Sequence, residues 1–245
     1  MNYKIGLDIG ITSVGWAVVE LDSNDEPYKI VDMGVRIFDR AEHPKDGSSL
    51  ALPRRTARGA RRRLRRHKHR LDRIKQLILD EQIISAEELE KLFHGKNLED
   101  IYSVRVKALD EKVEHENWAR LLIHLAQRRG FKSNRKSEKK DSGESGKLLK
   151  AVESNRVLMK EKGYRTIGEM LLVDPKFKEH KRNKGEDYSH TISRDLMLEE
   201  VKMIFEKQRK LDNPYASLAF QEAYIDIMFS QRPFDVGPGE PSKYA

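Results

Sequence analysis

Residues 53–75 read PRRTARGARRRLRRHKHRLDRIK, and this stretch decides how the rest of the chain is interpreted. It holds ten arginines and two lysines against one acid, Asp72, which gives a charge of +11, whereas the whole 245-residue chain carries only +8. Subtraction leaves −3 for the other 222 residues. The basic charge therefore belongs to one element and not to the surface in general.

The sequence of this element predicts a helix. Pro53 suits its first turn, and Ser48 and Ser49, shortly before it, are candidate caps. Apolar, small or histidine side chains recur at alternating spacings of three and four residues, which predicts a narrow buried seam on one side of the helix. The seam consists of Ala57, Ala60, Leu64, His67, Leu71, Ile74 and Ile78.

Nearly every other position of the element is Arg, Lys or His. Like charges four residues apart each cost an isolated helix about 0.2–0.5 kcal/mol, so the pattern favours a polyanion lying along the face. Arginine outnumbers lysine, which suits bidentate contacts with phosphates. The alternatives are a solvated charged helix and a localisation signal, but a solvated face usually mixes both signs. His67 and His69 are two residues apart, which is poor spacing for metal ligands on a helix.

The composition sets wider limits. Length allows one or two domains, and a pI near 9.4 with localised charge favours an acidic partner such as a nucleic acid. The chain has no cysteine, which excludes disulfides and cysteine zinc sites and fits a reducing cytosol. It contains neither a signal-peptide pattern nor an apolar run of about 18 residues, so we expect no membrane span.

Three short β-type runs come first, at residues 3–9, 15–21 and 29–38, and they predict a small meander that needs additional packing partners. Asp8 lies in the first run between apolar neighbours, with Gly6 and Gly10 two residues to either side. Glycines there allow a metal or phosphate to approach, and a carboxylate in a buried strand is costly unless it is paired or binds a cation. The alternative is an edge-strand aspartate beside a turn.

The pattern is helical from residue 77 onward. Ser85 and Glu88 have capping-box spacing and open a short helix through Phe93. A polar, low-complexity loop is expected at residues 137–146. The further predicted helices span residues 97–109, 116–129, 147–162, 167–172, 194–210 and 217–229.

Three basic patches in this helical part are candidate RNA contacts, at residues 127–135, 180–188 with 164–166, and 230–234. Arginine and aromatic side chains stack on unpaired bases. Arg128 and Arg129 have the alternative role of offsetting a helix dipole at its C-terminal end. For the other patches, spacing alone favours solvated loops over RNA contacts.

The order and spacing of three motifs carry a family resemblance. GLDIGITSVGWAVV at residues 6–19, GVRIFDRAE at 34–42 and LPRRTARGARRRLRRHKHR at 52–70 resemble the N-terminal part of the type II (II-C-like) CRISPR-associated RNA-guided DNA endonucleases. The resemblance extends over essentially the whole chain. Actin-like ATPases share the D-x-G-x-x-S pattern around Asp8, but they do not account for the arginine-rich helix.

The resemblance implies an α+β chain in three parts. Residues 1–50 would be an incomplete RuvC-like (RNase-H-like) nuclease segment, 51–78 an arginine-rich bridge helix, and 79–245 the start of a helical recognition lobe. Asp8 would be a catalytic metal ligand for Mg²⁺, or Mn²⁺ in its place, at the site that cuts the non-target DNA strand. One carboxylate is too few for a two-metal site, so we expect a fragment that is inactive alone.

The implied partners are guide RNA (crRNA with tracrRNA), target double-stranded DNA and the remainder of the parent polypeptide, for a monomer in the prokaryotic cytoplasm. A non-catalytic basic RNA-binding protein is the alternative function. The candidate RNA-binding residues are Arg54, Arg55, Arg58, Arg61, Arg62, Arg63, Arg65, Arg66, Lys68, His69, Arg70, Arg73, Arg128, Arg129, Phe131, Lys132, Asn134, Arg135, Arg165, Thr166, Lys181, Arg182, Asn183, Lys184, Tyr188, Gln231 and Arg232.

Overall fold

The computed structural model of the protein describes residues 2–94, 98–132 and 144–230. Within these ranges the chain is mixed α and β, with one three-stranded antiparallel sheet followed by helices. The chain divides into two compact units, residues 1–64 and 65–245, and the division falls inside the first helix.

The predicted meander is confirmed. The strands are β1 (Tyr3–Ile9), β2 (Ser13–Leu21) and β3 (Pro27–Ile37), in the order β1-β2-β3 with antiparallel pairing. The Gly10 amide donates to the Ser13 carbonyl at 2.8 Å and closes the first turn. Register shifts in the β2–β3 pairing fall between Val18 and Val19 and again between Glu20 and Leu21.

Within its own unit the sheet is open on both faces. Every residue of β1 is exposed, so the expectation that Asp8 lies in a buried strand is not met in unit 1–64. The only large ring on β2, Trp16, lies across Gly34, where an added Cβ would come within 2.9 Å of the indole. Glycine at position 34 is thus what allows the indole to lie flat on the sheet.

The helices follow in the order that the sequence predicts. They are α1 (Leu52–Asp80), α2 (Ala86–Lys91), α3 (Ile101–Lys107), α4 (His115–Gln127), α5 (Glu144–Glu161), α6 (Ile167–Val173), α7 (Arg194–Lys210) and α8 (Leu218–Phe229). The capping box is confirmed, since the Ser85 hydroxyl accepts from Glu88 N and the Glu88 carboxylate accepts from Ser85 N. A short 3₁₀ turn at Pro175–Phe177 was not predicted.

Unit 65–245 has one hydrophobic core, built around the fully buried Trp118 of α4 and Phe205 of α7, whose rings meet edge to face at 5.0 Å. Helix α1 contributes Ile74 and Ile78, which are completely buried. In unit 1–64 the same seam is open, since Leu64 is 71% exposed. No helix of the described ranges is long and apolar enough to cross a membrane.

A buried ion pair joins α3 to α7. Arg105 donates to both carboxylate oxygens of Glu200, at 2.9 Å from Nε and 2.6 Å from Nη2, and both side chains are almost fully buried. The Gly168 amide adds a third hydrogen bond to Glu200 at 3.2 Å. Additional hydrogen bonds help to stabilise a buried pair, and the Gly168 amide supplies one to Glu200.

The completely buried side chain of Gln208 on α7 connects the end of α3 to the loop after α7. Its amide nitrogen donates to the carbonyls of Ala108 and Glu111, and its oxygen accepts from the Val113 amide and from Asn213 Nδ2. All four hydrogen-bonding positions of the amide group are therefore used by the protein itself.

Candidate nucleic-acid interface

Helix α1 presents a long basic face. Among its candidate RNA-binding residues only Arg70 is partly buried, and the others are exposed. In the ranges that the structure describes, no ion pair joins any of them to a carboxylate of the same unit. Among the described residues, no ion pair therefore offsets the repulsion that the sequence predicts along this face.

Two side chains of α1 bind the C-terminal end of α4. The Arg70 Nε donates to the Ala126 carbonyl at 3.2 Å, and the His67 Nε2 lies 3.4 Å from the Gln127 carbonyl. Carbonyls of a last helical turn have no partner within their own helix, and a cation there complements the helix dipole. The alternative role foreseen for Arg128 and Arg129 is thus performed in part by residues of α1.

A small cavity of about 250 Å³ lies beside this junction and is lined mainly by cations. Burial lowers the pKa of Arg70 from its ordinary value to about 10, with repulsion from Arg129 and Arg194 as further causes. Burial likewise lowers the pKa of Arg129, whose Nη1 donates to the Ser230 carbonyl at 2.9 Å. We call this cavity the arginine pocket; its lining is Arg66, His69, Arg70, Arg73, Arg129, Ile227 and Ser230.

A larger cavity of about 470 Å³ lies on the other side of the α4 terminus. Cationic Arg128, Lys181 and Arg182 line it together with the aromatic Tyr102 and Phe131. The Arg128 Nη1 is buried and has no hydrogen-bond partner within the described residues. We call this cavity the α4 pocket, and its cationic and aromatic lining is of the kind that contacts nucleic acids.

Gly130 fixes the wall between α4 and α7. Its φ is +77°, and an added Cβ would lie 2.5 Å from the Ser193 carbonyl oxygen. The next residue, Phe131, donates from its amide to the Ile192 carbonyl at 2.7 Å and accepts from the Arg194 amide at 2.9 Å. This parallel bridge ends α4 at Gln127, two residues before the predicted end.

The floor of the α4 pocket includes residues that sequence reasoning missed. Two cations lie over the Tyr102 ring: the guanidinium carbon of Arg105 is 5.3 Å from the ring centroid, and Nζ of Lys181 is 5.4 Å from it. The ring also meets His124 edge to face at 5.1 Å, and burial lowers the pKa of His124 to about 3. Because these residues come from α3, α4 and a loop far along the chain, no local pattern indicates their proximity.

Other candidate residues have structural partners. Arg165 binds both Asp110 oxygens, at 2.7 and 3.0 Å, and also Glu169, and these two carboxylates raise its pKa. Thr166 is buried and caps α6 by accepting from the Glu169 amide. An RNA phosphate would have to compete with two carboxylates for Arg165.

The loop before α7 holds the remaining described candidates. Arg182 and Lys184 are exposed, while Asn183 closes the loop by donating to Thr191 Oγ1 and accepting from the His190 amide, both at 2.9 Å. Tyr188 accepts from the Thr191 amide and hydroxyl through its carbonyl. Lys132 is exposed; the candidates Asn134, Arg135, Gln231 and Arg232 lie outside the described residues.

Asp8 lies on one face of the sheet in unit 1–64, opposite Gly15 and Val35 in the register. A Cβ at Gly15 would be 3.6 Å from the Asp8 Cβ, so glycine there keeps the space beside the carboxylate open. Two groups of side chains in the described residues are spaced to hold a metal ion, and neither includes Asp8. Asp8 therefore fits as one ligand, and further ligands would have to come from elsewhere.

Comparison with curated proteins identifies the relatives. The chain is 39% identical over 243 residues to a CRISPR-associated endonuclease Cas9 of Campylobacter jejuni subsp. jejuni, a match that covers 93% of this chain and 23% of the relative. The chain is homologous to the N-terminal region of Cas9. The Staphylococcus aureus Cas9 is 31% identical over 245 residues, with 99% of this chain and 21% of the relative covered.

A solved Cas9 structure agrees with this homology. The crystal structure of Campylobacter jejuni Cas9 in complex with sgRNA and target DNA matches with a TM-score of 0.64 and 35% identity, and it covers 96% of this chain and 30% of that one. No protein-family model matches the chain. The chain spans less than a quarter of the length of these two Cas9 relatives.

Proposed function

We propose that this chain is the N-terminal portion of an RNA-guided DNA endonuclease that works as a monomer in the prokaryotic cytoplasm. In this proposal residues 1–50 are the first segment of a RuvC-like nuclease domain, residues 51–78 a bridge helix, and residues 79–245 the start of a recognition lobe. Guide RNA and target double-stranded DNA are its partners. The Cas9 homology and the sgRNA and DNA in the Campylobacter jejuni complex support this assignment.

The observation that carries the RNA-binding part is the arginine pocket beside the basic face of α1. Burial there lowers the pKa of Arg70, and repulsion between the positive charges of Arg70 and Arg129 adds to this effect. Such a cluster gains stability from a bound anion, and a phosphate diester backbone supplies anions at regular intervals along a 29-residue helix. Sequence would then be read by base pairing and not by the protein.

Asp8 is proposed as one catalytic metal ligand, with Mg²⁺ as the ion and Mn²⁺ as its substitute. A divalent ion bound there would activate water and neutralise charge on the leaving oxygen of the non-target DNA strand. The carboxylate and the glycine-lined space beside it are what this chain contributes. Since the other ligands lie elsewhere, residues 1–245 alone should have no nuclease activity.

The first experiment measures RNA affinity by fluorescence anisotropy in a salt series. The triple variant Arg58→Ala, Arg62→Ala, Arg66→Ala removes three exposed charges from one side of α1. If each contacts a phosphate, the slope of log affinity against log salt should fall in magnitude by about 2–3. The matched control removes three exposed charges from α7, namely Lys202→Ala, Lys207→Ala and Lys210→Ala, and should leave the slope nearly unchanged.

Equal losses in both triple variants would mean that only net charge matters, and the assignment of α1 as the RNA-binding helix would be wrong. Guide RNA should also be bound in preference to duplex DNA of equal charge at physiological salt. Identical salt curves for the two nucleic acids would refute a specific RNA platform in this chain.

The second experiment tests Asp8 in the full-length parent enzyme. Asp8→Ala should abolish cutting of the non-target strand and leave RNA affinity unchanged. The matched control is Asp32→Ala, because the register puts Asp32 opposite Val18 and Ile5, on the other face of the same sheet. Non-target cutting that survives Asp8→Ala would remove Asp8 from the cutting mechanism, and the proposed role of this residue as a metal ligand would be wrong.

A further inference from the structure

Three side chains with metal-ligating atoms converge in the loop between the 3₁₀ turn and α7. Potential ligand atoms of His180, Asp187 and His190 all lie within 4.8 Å of one another. The second such group in the described ranges, Glu88 with His115 and Glu116, has Glu88 committed to the capping box of α2. In the loop group Asp187 likewise accepts hydrogen bonds from Ser189, but of the two groups found in the described residues this one has two histidines, of which one, His190, is buried.

His190 is the fixed member of the group. It is only 9% exposed, and its ring meets Phe177 edge to face at 5.0 Å. Its Nε2 lies 3.4 Å from the Lys176 carbonyl, while its Nδ1 faces Ser189 Oγ at 2.9 Å and Asp187 Oδ2 at 3.5 Å. A ring nitrogen that donates to a carbonyl leaves the other nitrogen as the lone-pair ligand, which is the usual arrangement of metal-binding histidines.

The hydrogen positions leave a deficit of donors around His190 Nδ1. The Ser189 hydroxyl has one hydrogen, and Asp187 Oδ2 is its acceptor at 2.8 Å. When that hydrogen is used, the Nδ1 lone pair, the Ser189 oxygen and the Asp187 carboxylate all face one another as acceptors. A hydrogen on Nδ1 or a metal ion bound at Nδ1 would each join these groups.

The position of His180 favours the metal ion. Its ring centre lies 4.6 Å from that of His190, with the planes tilted by 36°. Two imidazoles and one carboxylate that converge in this way are a common ligand set for zinc. Lys176, whose Nζ is held at 2.7 Å by Asn155 Oδ1, is a further positive charge that interacts with Asp187.

The loop backbone is organised before any ion binds. Asn155 Nδ2 donates to the carbonyls of Ser189 and Thr191 at 2.9 Å each, and Asn183 Oδ1 accepts from the His190 amide at 2.9 Å. The Ser189 amide donates to Asp187 Oδ1 at 2.8 Å and fixes that carboxylate. Ligands at about 2.0–2.2 Å from a shared zinc ion therefore require side-chain rotation rather than refolding of the loop.

We propose that His180, Asp187 and His190 form a binding site for one divalent transition-metal ion of the Zn²⁺ class. Imidazole nitrogen selects this class over Mg²⁺ and Ca²⁺, which take oxygen ligands. The bound ion would fix the loop that carries the exposed Arg182 and Lys184. This site is separate from Asp8 and independent of the nuclease assignment.

The experiment titrates Zn²⁺ into the chelator-stripped 245-residue chain in competition with a chromophoric chelator. One ion per chain is expected to bind, and His180→Gln and Asp187→Asn should each weaken binding by about tenfold or more. Both side chains are at least partly exposed, so these variants should fold. The matched control is the exposed His94→Gln, which should bind Zn²⁺ as the wild type does.

A second readout is thermal unfolding of the same proteins. Zn²⁺ at about 100 times its dissociation constant should lower the unfolding constant of the wild type and of His94→Gln about 100-fold, and it should do so far less for the two ligand variants. The proposal is overturned by absence of binding, by equal affinity in all four proteins, or by loss of binding in His115→Gln, which would assign the ion to the other group. Competition by Mg²⁺ at equal concentration would also overturn it.

Discussion

Replacing Glu200 by glutamine tests how much the buried ion pair contributes to unit 65–245. Glu200→Gln keeps the shape of the side chain but leaves Arg105 as an uncompensated charge in the interior, where its partner oxygens lie at 2.9 and 2.6 Å. Breaking a buried pair from one side costs about 3–5 kcal/mol. At about 2–4 °C per kcal/mol for a unit of this size, we expect Tm to fall by about 6–20 °C.

The matched control lies on the same helix. Glu206 also has a cationic partner at 2.6 Å, Lys210, but that pair is more than half exposed. Glu206→Gln should therefore leave Tm almost unchanged, because solvent screens an exposed pair. Fluorescence of the buried Trp118 in a Trp16→Phe background reports unfolding of unit 65–245 alone.

A double variant completes the test. Arg105→Met with Glu200→Met removes both charges and fills the space with apolar side chains, so it should be more stable than Glu200→Gln. Equal effects of Glu200→Gln and Glu206→Gln would refute the reasoning, since the two changes share chemistry and distance and differ in burial. A double variant as unstable as Glu200→Gln would show that the packing of Arg105, rather than its charge, governs the loss.

Three further predictions concern the α4 region. Gly130→Ala should destabilise the unit by more than the about 1–2 kcal/mol of left-handed strain, because its Cβ would lie 2.5 Å from the Ser193 carbonyl oxygen; chemical denaturation measures this. In the wild type, folded His124 has a pKa of about 3, so below pH 6.5 the unfolded chain takes up a proton that the folded chain does not, and stability falls on acidification. His124→Phe removes this proton uptake, so its stability should fall less steeply, by up to about 1.4 kcal/mol per pH unit. Denaturation at several pH values measures the difference. Tyr224→Phe should cost about 1 kcal/mol through loss of the 2.7 Å hydrogen bond to the Leu122 carbonyl, again measured by denaturation.

Each of these has a control or a contradicting result. Gly163 has a φ of +68° with open space around it, so Gly163→Ala measures the cost of backbone strain without a clash. If Gly130→Ala and Gly163→Ala lower the free energy of unfolding equally, the steric clash at Gly130 does not contribute. The exposed His94→Gln should leave the pH profile unchanged, whereas an unchanged profile in His124→Phe would mean that His124 protonates normally in the folded state. If Tyr224→Phe leaves the free energy of unfolding unchanged, the hydrogen bonds within α4 are sufficient for the Leu122 carbonyl.

Local signals were sufficient for most of the elements. The alternation of apolar residues predicts the meander, and the spacing of Ser85 and Glu88 predicts the start of α2, because a capping box involves only one turn of chain. The helix predicted at residues 97–109 begins later, at Ile101, where Asp100 accepts from the Ser103 amide. Asp100 is the N-cap of this helix and sets its start.

Long-range contacts account for what the sequence did not predict. Phe131 pairs with a strand-like segment 62 positions away, at Ser193, and this pairing shortens α4. Arg105 and Glu200 are separated by 95 residues, and the local sequence around each of them does not indicate that its side chain is buried. The arginine face of α1 was foreseen, but the use of Arg70 and His67 at the end of α4 depends on packing that no local spacing encodes.

The saturated amide of Gln208 has a consequence for sequence variation. Glutamate would present acceptors to the Ala108 and Glu111 carbonyls, and methionine would leave the Val113 amide and both carbonyls without their partner. Position 208 should therefore tolerate only synonymous codon changes in a saturation library. Positions such as Arg62, whose side chain is exposed, should accept lysine with little loss of folding. A strongly constrained codon of this basic protein thus encodes an uncharged residue.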